Sequence, residues 1–177
     1  KTLQELLNQH RGRLGQNTRL TADNIRLPEL TAQNFVDLYP LLPYQVELII
    51  NVVSGLRTQT GASKHVGGAN RTIIKLAQQL LVHPEVGLAG KPLGALVRLD
   101  QVYDLVAGNI ASEIRAKIDG IAGKVDHPLA QPVAKAICLL QFAKVAHRTP
   151  ENLAAVLHPA VDADSRLPEV KEALEKL

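Results

Sequence analysis

Between Glu47 and Glu85 the chain carries no carboxylate, yet Arg57, Lys64, Arg71 and Lys75 all fall inside that interval. A stretch with one sign of charge expects an anion. Its centre, Lys64-His65-Val66-Gly67-Gly68-Ala69-Asn70-Arg71, reads as a basic, glycine-containing turn that opens an amphipathic helix running to Val82. Gly67 and Gly68 suit a close approach of backbone to a phosphate, with Arg71 as the main contact and Lys64 and Lys75 as further cations. In this reading Arg71 stands in the first helical turn. There the free N–H groups and the macrodipole disfavour a cation unless an anion is bound. The competing reading pairs Arg71 with a carboxylate elsewhere in the fold and leaves the basic segment as a solvated face.

Other chemistry is sparse. The six histidines, His10, His65, His83, His127, His147 and His158, show no pair at helical ligand spacing. With Cys138 as the single cysteine, no metal site is expected. No G-x-S-x-G motif occurs, and nothing nominates a nucleophile with its base. Gly87-Leu88-Ala89-Gly90-Lys91-Pro92 approaches a phosphate loop but fails it. Glu85 stands where the first glycine belongs, and Pro92 replaces the Ser or Thr that would hold magnesium. The chain alone is therefore not expected to hydrolyse ATP.

These residues need a scaffold, and the composition indicates a helical one. Hydrophobic residues make up 46% and aromatics only 3%, with no Met or Trp, so the core must be built from Leu, Ile, Val and Ala. At 177 residues the chain can bury one good core or two small ones. The net charge of +3 permits contact with nucleic acid or nucleotide without demanding it. No apolar run is long enough for a membrane span and no leader pattern is visible, so a cytoplasmic location is expected. A start at Lys1-Thr2-Leu3 with no methionine suggests a piece of a longer protein.

Apolar spacing predicts a helix over Leu3–Leu14 and, after a connector to Leu30, a short one over Ala32–Leu38 capped by Thr31. Tyr39-Pro40-Leu41-Leu42-Pro43 breaks it, and Pro43 suits the first turn of a buried helix over Tyr44–Leu56. The β-branched content of that helix admits a strand, but its length and lack of alternation favour the helix. On the next helix Ile73, Leu76, Ala77, Leu80 and Leu81 form the expected buried stripe, opposite Arg71, Lys75 and Gln78. Asp100 is expected as the N-cap of Gln101–Ala107. Ile110, Ile114, Ile118 and Ile121 are expected to line one helix face, ended by the Gly120–Pro128 segment. A boundary near residue 126 divides a region 1–126 from a region 127–177. The second region holds a core helix over Val133–Ala146, a short helix opened by Thr149-Pro150, and an amphipathic helix from Leu167 to Leu177. Three such helices begin a winged-helix or helix-turn-helix unit. The exposed face of the last, with Glu169, Lys171, Glu172, Glu175 and Lys176, is slightly acidic and unsuited to a phosphate groove.

Four segments carry a resemblance: Tyr39-Pro40-Leu41-Leu42-Pro43-Tyr44-Gln45, His65 to Arg71, Leu99-Asp100-Gln101-Val102-Tyr103-Asp104, and Thr149-Pro150-Glu151-Asn152-Leu153-Ala154. In these the chain resembles the large P-loop ATPases of bacterial BREX phage-defence systems, the BrxC/PglY family of the AAA+ class. The resemblance implies an all-α fold, an AAA+-type helical lid bundle followed by a winged-helix-like three-helix unit. It implies that Arg71 matches a sensor-like lid arginine facing nucleotide phosphates. ATP with Mg is then the cofactor, bound mainly by parts of the parent outside this chain. The implied partners are the rest of the parent ATPase, further copies of it, other defence proteins and DNA, with no membrane. The chain departs from the commoner pattern at Leu41 and Leu42, where relatives often carry an aromatic and a histidine, and at Ala69-Asn70. The alternative is a helical module that binds protein or nucleic acid and has no part in nucleotide turnover. A free-standing helical enzyme is the weakest reading, since no catalytic group stands out.

Overall fold

The computed structural model describes residues 2–21, 27–59, 66–144 and 146–177, with 66–70 described by their backbone alone. Among the described residues the fold is all-α. The helices are α1 (Leu3–Asn17), α2 (Ala32–Leu38), α3 (Pro43–Gln59), α4 (Val66–Val82), α5 (Leu99–Val106), α6 (Ser112–Asp119), α7 (Ala130–Ala143), α8 (Pro150–Val156) and α9 (Leu167–Lys176). Short 3-10 turns lie at Leu88–Gly90 and Ala107–Asn109. The extended backbone includes an isolated antiparallel bridge, Ala95 to Ala160.

Local chemistry explains most helix starts. Thr2 caps α1, and Glu5 returns a bond to the Thr2 N–H at 2.9 Å, so two free donors are satisfied reciprocally. Thr31 and Thr149 accept from Asn34 N–H and Asn152 N–H at the starts of α2 and α8. Where no Ser or Thr is available, a glutamine substitutes. Gln45 Oε1 accepts the Leu42 N–H at 2.7 Å before α3, and Gln101 Oε1 accepts the Arg98 N–H at 2.9 Å before α5. Asp100 is therefore not the cap of α5. It sits in the first turn, buried, and takes a two-pronged contact from Arg98 at 3.0 and 2.9 Å.

The core follows the apolar pattern. α3 buries Leu48, Ile49, Val52, Val53 and Leu56, and it packs most extensively on α7. α7 also packs on α5, α8 and α9, so residues on both sides of position 126 share one hydrophobic cluster. α7 ends at Ala143 rather than Ala146, because Lys144 turns into the left-handed region at φ 54°. The isoleucine helix is shorter than its spacing predicts. Gly108-Asn109 interrupts it, Ile110 lies in extended backbone, and Ile114 is 38% exposed on α6. The segments flanking the bridge are pinned by backbone bonds, Leu96 N–H to Pro159 O and Val161 N–H to Gly94 O, both 2.9 Å. Among the described residues no helix is long and apolar enough to cross a membrane.

Candidate nucleotide-phosphate site on α4

α4 begins at Val66, so Gly67 and Gly68 belong to its first turn rather than to a turn before it. Arg71 is consequently in the second turn, which removes the expected clash between its charge and the four free N–H groups. Three of those groups belong to Val66, Gly67 and Gly68. Two glycines at the second and third helical positions go against helix propensity by about 1 kcal/mol each. They also leave their N–H groups unshielded by side chains.

Arg71 and Gly67 are four residues apart, and Arg71 and Gly68 three apart, so all lie on one helix face. Helical side chains tilt toward the N-terminus, which carries an arginine head back over the preceding turn. The Arg71 guanidinium and the Gly67 and Gly68 N–H groups thus address one region of space. Arg71, Lys75 and Gln78 are all exposed, as expected for the outward face. None of the ion pairs among the described residues involves Arg71 or Lys75. The carboxylate partner of the competing reading is thus not found there. Arg57, half-buried in the last turn of α3, complements the negative end of that helix. Lys64 and His65 lie outside the described residues.

The inward face is narrower than the sequence predicts. Leu76 and Leu80 are buried and Ile73 packs against the core, but Leu81 is 37% exposed. At 100° per residue Leu81 lies about 120° round the helix from the midpoint of Leu76 and Leu80, beyond the reach of α3 and α5. Conversely, Ile74 and Val82 are 71% and 67% exposed on the outward face. That face is therefore mixed, with cations and isolated apolar side chains along one line.

Elsewhere the chemistry is structural. The Gly87–Pro92 segment forms a 3-10 turn with Gly87 at φ 48°, and not a phosphate loop. Burial pushes the Cys138 thiol up, and it pushes the Tyr103 hydroxyl up to about 12. Among the described residues no group of three His, Cys, Asp or Glu side chains is placed to hold a metal.

Two groups escaped the sequence reading. Asn152 is fully buried. It accepts from Thr21 N–H at 2.9 Å and donates to Thr21 O and His147 O at 2.8 Å each. The second is a cluster of basic residue types, Lys144, His147 and Arg148, beside an open cavity after α7. Only the clustering of Lys144, His147 and Arg148 in five residues signalled it, with Lys144 placed inside the expected Val133–Ala146 helix. No known family model matches the chain, and no solved structure matches it significantly.

Proposed function

We propose that this chain is the helical lid region of a BREX-type AAA+ ATPase, with α4 presenting Arg71 to nucleotide phosphates. One observation carries the reading. Arg71 stands exposed one turn beyond Gly67 and Gly68, on the same face as their free N–H groups, with no ion-pair partner among the described residues. A guanidinium joined to helix N–H donors matches the charge and geometry of phosphoryl oxygens. Such a group stabilises charge that develops on those oxygens during transfer. Lys75 adds positive potential one turn further on. The described part of this stretch offers no carboxylate for Mg, so the metal and the bulk of the ATP would be held by the parent's nucleotide core. The all-helical architecture and the three-helix unit α7–α9 accord with a lid followed by a winged-helix-like part.

A second reading, a helical interaction module, is favoured by Ile74 and Val82, whose exposed side chains share the outward face of α4. ATP turnover separates the two. On the first reading the full-length protein carries a Walker A motif and hydrolyses ATP, while the 177-residue chain alone does not. A full-length protein with no such motif and no turnover rejects the lid and leaves the interaction module.

A further inference from the structure

The cavity beyond α7 is independent of α4. It is open, about 510 Å³ in volume, and lined by Gln141, Lys144, His147, Arg148 and Thr149, with no acidic residue among the described residues of its wall. Lys144 and Arg148 are exposed, and neither takes part in an ion pair among the described residues. Two exposed cations lining one cavity give it a positive potential that favours an anion.

The wall is held in place. Asn152, buried at the start of α8, fixes the His147 carbonyl at 2.8 Å, and the Thr149 hydroxyl is held by the Asn152 N–H at 3.2 Å. Arg148 therefore projects from a backbone anchored on both sides. Lys144 adopts φ 54°, where glycine is the usual residue and a side chain is disfavoured by about 1–2 kcal/mol. A lysine in that place disfavours the fold locally while adding a cation to the wall.

We infer that this cavity binds the phosphodiester backbone of a nucleic acid. The cavity opens to the surface, so a phosphate of a longer chain can reach its wall. The wall offers cations, an amide and a hydroxyl, the groups that position phosphates. It offers no aromatic platform for stacking bases. Recognition is therefore by charge and without sequence preference. Inorganic phosphate and ATP share this chemistry at lower charge, and the test separates them.

The test is fluorescence anisotropy of labelled single-stranded and duplex oligonucleotides of about 20 nucleotides with the 177-residue chain, over a range of salt. The double variant Lys144→Gly with Arg148→Gln is expected to bind at least tenfold more weakly, with the salt slope reduced by about 2. Lys144→Gly fits the positive φ, so its unfolding midpoint stays level or rises, which separates lost binding from lost fold. Lys117→Gln, on exposed α6, and Arg71→Ala leave binding within about twofold. The proposal is overturned if the wild type binds no oligonucleotide, or if the double variant binds as the wild type does. It is overturned equally if inorganic phosphate or ATP displaces the oligonucleotide at matched phosphate concentration, or if Arg71→Ala abolishes binding while the double variant does not. Arg71 acting in turnover without affecting this binding leaves both proposals standing.

Discussion

Gly55→Ala and Gly12→Ala are the same substitution in the middle of a helix, and the structure predicts opposite outcomes. A Cβ added to Gly55 would overlap the Phe142 carbonyl oxygen and lie 3.1 Å from Phe142 Cβ. Phe142 is in the last turn of α7, where carbonyls lack intrahelical partners, and its oxygen instead faces the open flank of α3. Normal carbon–oxygen contact is about 3.3 Å, so α3 and α7 must separate by about 1 Å. Neither atom is the end of a flexible side chain, and the helices meet through the largest interface in the fold. Such overpacking costs about 1–3 kcal/mol, toward the upper end of about 2–3 where backbone rather than a side chain must move, offset by about 1 kcal/mol of improved helix propensity. The net expectation is a loss of about 1–2 kcal/mol, or about 2–8 °C in midpoint for a chain of this size. At Gly12, on exposed α1, an added Cβ meets nothing within 4 Å, so only the propensity gain of up to about 1 kcal/mol remains. Urea unfolding of both variants measures the pair. A Gly55→Ala protein as stable as wild type would refute the close approach of α3 and α7.

Three further outcomes follow from the buried polar groups. Asn152→Ala removes three bonds that tie α8 to Thr21 and His147 and should cost about 2–4 kcal/mol by urea unfolding, with Asn152→Asp no better tolerated. Gln45→Leu fills the same space but leaves the Leu42 N–H and the Val97 carbonyl unpaired. It should lower the midpoint by about 1–3 kcal/mol, and a neutral result would remove Gln45 as the clamp at the start of α3. His158 is buried, and among the described residues no well-formed hydrogen bond reaches either ring nitrogen. Burial holds its pKa below the ordinary 6.5, with Arg166 and Arg13 adding to the depression and the Ala160 backbone opposing it. Below pH 6.5 the unfolded chain therefore binds more protons at this position than the folded one. Stability should fall as pH drops through and below 6.5, and level off once the pH is beneath the folded value. Comparing unfolding of wild type and His158→Leu between about pH 7.5 and 5 isolates that contribution, which the variant should lack.

Helices were legible where a local rule decided them. Thr31, Pro43 and the Thr149-Pro150 pair mark starts that the structure places within a residue of expectation, and the apolar spacing of α3 locates its buried face, whereas on α9 only Val170 of the expected stripe is buried and Leu177 is exposed. Errors arose where two local rules competed. Gly67-Gly68 reads as a turn by propensity, yet the backbone is helical from Val66. Asp100 reads as a cap, but Gln101 already satisfies the Arg98 N–H, which frees Asp100 to pair with Arg98. Lys144 continues an apolar helical run in sequence but ends the helix in a conformation no propensity scale assigns to lysine.

The polar clamps were not legible for a different reason. Gln45 acquires its meaning from Val97, and Asn152 from Thr21, partners brought together only by the fold. The candidate site divides the same way. That Arg71, Lys75 and Gln78 share an outward face was readable from spacing. That Ile74 and Val82 share it depends on how narrow a strip of α4 the core can cover, which is set by α3 and α5.

The role of Arg71 is tested most directly by steady-state ATP turnover of the full-length protein, wild type against Arg71→Ala, with matched unfolding midpoints. A lid arginine at the phosphates predicts a fall of tenfold or more, about 1.4 kcal/mol of transition-state stabilisation. Unchanged turnover in a protein that hydrolyses ATP would contradict the phosphate role of Arg71 and leave the outward face of α4 as a docking surface.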